Sequence, residues 1–75
     1  MQLKLNLMGA LKTKSPPDNR LETADAACIN DVLAALEIAD HQVQVVIVNG
    51  KPQPDRQRPL ADGDELTVVA PVGGG

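Results

Sequence analysis

One change of hydrophobic period governs what this chain can build. Ile29, Val32, Leu33 and Leu36 recur at i, i+3, i+4 and i+7, the stripe of an amphipathic helix. The apolar residues on either side of that stripe follow a period of two instead. Leu3, Leu5 and Leu7 alternate with Lys4, Asn6 and Met8, which places three leucines on one face of a strand. Residues 20–24 repeat the pattern more weakly, with Leu21 and Thr23 set against Arg20 and Glu22. Residues 43–48 read as the most buried strand, because Val45, Val46, Ile47 and Val48 are apolar on both faces and all β-branched. Leu66 and Val68 alternate with Thr67 and Val69 in a last strand that Pro71 stops. One helix laid on one face of a mixed sheet of four to five strands is the simplest way to bury these faces, an α+β architecture.

Turn chemistry divides these elements. Residues 12–19 are polar and carry Pro16 and Pro17, which predicts a surface loop. The helix starts at Asp25 or Cys28: Asp25 is the better capper, Cys28 fits the apolar stripe, and Asp31 in the first turn suits the helix dipole. Asn49-Gly50 signals a turn after the buried strand, and Asp62-Gly63-Asp64 signals another before the last strand. Between them, residues 51–59 hold Pro52, Pro54 and Pro59, which predicts an irregular connection with at most a short strand at 58–60. With 75 residues the chain has room for one domain, placed at 1–70, followed by a flexible tail at 71–75.

Composition excludes several functions. Seven Lys+Arg against ten Asp+Glu leave a net charge of −3, and Phe, Tyr and Trp are absent. The charge opposes binding to a phosphate backbone, and no aromatic ring is present to stack on a base, so no nucleic-acid partner is expected. A single cysteine allows neither an internal disulfide nor a cysteine cluster for metal and fits a reducing compartment, so a cytoplasmic protein is expected. The longest apolar run is far below the ~20 residues of a bilayer span, and the alternating N-terminus lacks the apolar block of a signal peptide, so no membrane association is expected. Cys28 lies among Ala26, Ala27 and Ile29 and reads as a packing residue; His41 reads as a solvated loop residue. The acids at 62, 64 and 65 are turn chemistry without the ligand register of a calcium loop. No metal site, no bound cofactor and no free-standing enzyme are expected.

What remains is the C-terminal segment Pro71-Val72-Gly73-Gly74-Gly75. Such a segment is either a frayed terminus or a working part. A ribbon without Cβ atoms threads into a narrow channel and offers an enzyme an unhindered carboxylate with no competing side-chain nucleophile.

Val48-Asn49-Gly50, Leu60-Ala61-Asp62-Gly63-Asp64-Glu65-Leu66 and the terminal Pro71-Val72-Gly73-Gly74-Gly75 together resemble the sulfur-carrier branch of the ubiquitin-like β-grasp proteins, the MoaD/ThiS family. It includes the small subunit of molybdopterin synthase and the thiamine-pathway carrier. The resemblance implies a β-grasp fold and a carrier acting with partner enzymes. An E1-like adenylating enzyme would use ATP to activate the carboxylate of Gly75, with Gly74 and Gly73 threaded behind it and Pro71 and Val72 leading into the tail. Conversion to a thiocarboxylate would let Gly75 donate sulfur at a large synthase subunit. The long connection from Gly9 to Asn19 and the Pro-Val-Gly-Gly ending resemble the molybdopterin or tungstopterin members. Ala70 before Pro71, the extra glycine and the lack of an aromatic in the last strand depart from them. Thiamine synthesis, tRNA thiolation and protein conjugation are the alternatives.

Strand parity also locates a docking surface. With Leu3, Leu5, Leu7, Leu66 and Val68 facing the helix, Met8 and Val69 face away. One set from the buried strand, either Val46 and Val48 or Val45 and Ile47, shares that outer face. Met8, Val46, Val48 and Val69 are assigned to the partner-binding patch.

Overall fold

The N-terminal alternation becomes β1 (Gln2–Leu7), which buries Leu3, Leu5 and Leu7 and exposes Gln2, Lys4 and Asn6. The computed structural model describes residues 1–71. After β1 come β2 (Arg20–Glu22), α1 (Ile29–Ala35), β3 (Val45–Val48), β4 (Lys51–Pro52) and β5 (Glu65–Val69). The five strands form one sheet in the order β2-β1-β5-β3-β4. β1 and β5 run parallel, and the other three pairings are antiparallel. The last strand in sequence thus lies at the centre of the sheet.

Register explains the core. Leu5 stands opposite Leu66 and Leu7 opposite Val68; Val46 stands opposite Val68 and Val48 opposite Leu66. Paired residues share a face, so these side chains all point toward α1, which covers them with Ile29, Val32 and Leu33. Leu66 and Val68 are fully buried. Without aromatic rings the interior is filled by branched aliphatic side chains, each contributing roughly 1.5–3 kcal/mol on burial.

Several sequence expectations change. The helix begins at Ile29 with Cys28 before its first turn, where the Cys28 N–H donates to Asp31 Oδ2 at 3.0 Å. Asp25 instead lies 3.5 Å from the N-terminal ammonium. β2 stops at Glu22, opposite Gln2 where β1 begins, and Thr23 N–H makes one further bond to the Met1 carbonyl. Residues 58–60 supply only an isolated bridge between Pro59 and Cys28. Lys51–Pro52, expected to be irregular, pairs with β3, because Asn49 (φ 51°) and Gly50 (φ 83°) both adopt the positive φ of a tight two-residue hairpin. The polar stretch after β1 holds a 3-10 helix (Gly9–Lys14) that tucks Leu11 into the core.

The largest correction concerns β3. Only Val46 of its four residues is fully buried. β3 lies one place from the sheet edge, with just the two-residue β4 outside it, and Val45, Ile47 and Val48 are half-buried there.

Candidate functional site: the root of the tail

β5 is held at its start and bare at its end. At the start, Asp64 Oδ2 accepts from Ala61 N–H at 2.8 Å and Asp64 Oδ1 accepts from Asn49 Nδ2 at 2.9 Å. Asn49 Oδ1 in turn accepts from Glu65 N–H at 3.0 Å. Asp62 Oδ1 accepts from Gln2 N–H at 2.6 Å, while Gly63 N–H donates to the Gln2 carbonyl at 2.7 Å. The Asp62-Gly63-Asp64 motif therefore ties β5 to β1 and to the β3–β4 turn at once. It sets the register of the strand that delivers the tail. Gly63 (φ 84°) supplies the left-handed residue this loop requires.

At the other end, the Val68 carbonyl accepts from Met8 N–H at 3.0 Å and the Val69 carbonyl accepts from Gln44 N–H at 2.7 Å. These are the last ladder bonds that β5 makes among the described residues. Ala70 follows, half-buried against the core, and then the exposed Pro71, which has no N–H to extend a ladder. Val72, Gly73, Gly74 and Gly75 lie outside the described residues.

Beside this exit is the outer face. Val45 stands opposite Val69 and Ile47 opposite Thr67, and Ile47 also stands opposite Pro52. Val45, Ile47 and Val69 are half-buried, and Met8, 45% exposed, stands beside them as the one large apolar side chain left largely open to solvent among the described residues. Val46 and Val48, assigned to this patch from the sequence, face the opposite way. Val46 is 2% exposed within the core and Val48 packs against it. Their places belong to Val45 and Ile47. Four consecutive β-branched residues carry no parity signal; the register against Val69 and Thr67 supplies it. Toward the clamped end the same face turns polar, with Lys4 opposite both Arg20 and Glu65.

The remaining candidates lie elsewhere. Asp31 is held below the usual carboxylate range by the Cys28 N–H. His41 sits in a 3-10 turn (Asp40–Gln42) next to Asp40, which pairs with Arg56. A cleft of about 620 Å³ between the β3–β4 turn and residues 58–61 opens at the clamped end of β5. Among the described residues no three His, Cys, Asp or Glu side chains converge to hold a metal, and no helix is long and apolar enough to cross a membrane.

Comparison with known proteins bears on the tail as well as the body. The ThiS family model matches residues 5–75. SAMP1 from Haloferax volcanii superposes with a TM-score of 0.73 at 24% identity, with both chains covered in full. HVO 2177 from the same organism superposes at 0.72 and 27% identity, over 100% of this chain and 87% of that one. The complex of subunits 1 and 2 of molybdopterin-converting factor from Helicobacter pylori contains a chain that superposes at 0.63 and 21% identity, both covered in full. No curated protein sequence matches. The mixed five-stranded sheet with one main helix is the ubiquitin-like β-grasp fold that these structures share.

Proposed function

Because the chain belongs to the ThiS family of ubiquitin-like sulfur-carrier and modifier proteins, we propose that it carries sulfur on the carboxylate of Gly75. The observation that carries this reading is the family match running through residue 75 of a chain whose central strand ends at a bare, small-residue exit. A carboxylate resists nucleophiles until one oxygen becomes a leaving group. An E1-like partner supplies that group: the Gly75 carboxylate attacks the α-phosphate of ATP, pyrophosphate leaves, and an acyl-adenylate forms. A sulfide-level donor then attacks the carbonyl, AMP departs, and a thiocarboxylate remains. The body binds no cofactor in this scheme; ATP belongs to the partner.

The apolar patch of Met8, Val45, Ile47 and Val69 gives partners a docking surface beside the tail. The Helicobacter pylori complex, in which a chain of this fold meets a second subunit, favours a large synthase subunit of the molybdopterin type as the acceptor. Incubation with the adenylating enzyme, ATP and sulfide should raise the intact mass by one oxygen-to-sulfur exchange, confined to the C-terminal peptide. An unchanged mass rejects the reading.

A second reading follows from the likeness to SAMP1, a small archaeal modifier protein. The same adenylate, attacked by a lysine amine instead of sulfide, gives an isopeptide. Conjugates on other proteins in cells, with no thiocarboxylate on the free chain, would favour it.

A further inference from the structure

Gly9 is the residue against which the tail's root rests. Its φ of +65° lies in the left-handed region, and a Cβ added there would sit 3.3 Å from the Cβ of Ala70. That separation is tighter than ordinary van der Waals contact, so any side chain at position 9 displaces the backbone or Ala70. Ala70 is the first residue beyond the ladder. The bonds from Met8 and Gln44 hold residues 68 and 69 on either side, and the half-buried Ala70 side chain packs against the core. Ala70 is thus the joint between the fixed strand and the tail. Gly9 bounds that joint on one side.

We propose that Gly9 is a positioning residue: its missing side chain seats Ala70 and so sets the direction in which the tail leaves the body toward a partner's active site. This rests on the carrier reading above. The position needs a glycine for two separable reasons, the positive φ and the close approach, and only the second concerns the tail. Asn tolerates positive φ better than other side chains, so Gly9→Asn largely spares the backbone while crowding Ala70. Ala70→Gly removes the crowded atom.

The test measures thiocarboxylate formation by mass spectrometry with an E1-like adenylating enzyme from the same organism, ATP and sulfide, for wild type, Gly9→Asn, Ala70→Gly and the double variant. Gly9→Asn should lower kcat on the order of tenfold, within the ~10²-fold that an ångström of misplacement can cost, and leave KM for the carrier unchanged. The double variant should recover kcat, although it recovers none of the stability lost to the glycine replacement. A Gly9→Asn chain that turns over like wild type overturns the inference, as does a double variant that stays slow. Should wild type itself gain no sulfur, the carrier reading fails before Gly9 is reached.

Discussion

The two ends of β5 are built from opposite materials. The start is fastened by carboxylate and amide side chains: Asp62, Asp64 and Asn49 accept from three N–H groups, on β1, the preceding loop and β5 itself, and Asn49 donates to Asp64. The finish has only main-chain bonds, flanked by Gly9 and Ala70 and followed by proline. Short polar side chains satisfy backbone donors that a loop would otherwise leave unmade, and they fix register. At the finish no side chain bonds the backbone among the described residues, and the strand runs straight into Ala70 and Pro71. A strand anchored at one end and bare at the other converts stability into aim.

Experiments that damage each end separately break or sharpen this contrast. The largest effect belongs to the tail: deleting Gly74 and Gly75 should abolish sulfur loading outright, and the thermal midpoint should not move. Next comes the shared middle. Leu66→Ala should cost about 2–5 kcal/mol in denaturant unfolding, because Leu66 is fully buried between β1 and β3. On the outer face, Met8→Asp with Val69→Asp should remove partner binding in calorimetric titration, whereas Val46→Asp should unfold the chain. Equal behaviour of the two would contradict the register that sets Val45, not Val46, beside Val69. At the fastened end, Asp64→Ala should lose about 0.5–1.5 kcal/mol by removing its bonds to the exposed Ala61 N–H and Asn49 amide, which then turn to water. Its sulfur loading, normalised to folded protein, should fall little.

The smallest effect lies away from β5 and depends on pH. The Cys28 N–H bond lowers the Asp31 pKa in the folded protein. The stability it contributes is therefore present above the unfolded carboxylate value and is lost as pH falls through the lower folded value. Asp31→Ala should lower the melting temperature at neutral pH, and the gap to wild type should close in strong acid.

Much of this fold is legible in the sequence because period is a local property. The alternating leucines of β1, the stripe of α1, the Asn49-Gly50 turn and the last strand each declare themselves within a few residues; that the turn closes a hairpin with Lys51–Pro52 does not. What stays hidden depends on partners distant in the chain. Leu11 is one apolar residue beside a polar stretch, and only its place in a 3-10 helix next to β1 shows that it fills the core. Pattern alone cannot choose between Val45/Ile47 and Val46/Val48 for the outer face, because a run of four β-branched residues looks the same from both sides until β5 is laid beside it. The assignment of Val46 and Val48 therefore has no parity signal behind it. Asp62-Gly63-Asp64 announces a turn, but its role as a brace between three segments needs Gln2 and Asn49 to be brought in from 60 and 15 residues away. The proposed tail, Val72 to Gly75, lies outside the described residues; composition leaves it open between a frayed terminus and a working part, and only the resemblance favours the second.

The central position of β5 has a consequence for synthesis. Ribosomes make chains from the N-terminus, so β1 and β2 emerge early and wait, and β3 gains its inner neighbour only when residues 65–69 appear. A nascent fragment that stops short of them lacks the middle of its sheet and has no route to a finished body. Such a fragment presents the unpaired edges of β1 and β3, two open ribbons in place of one continuous sheet.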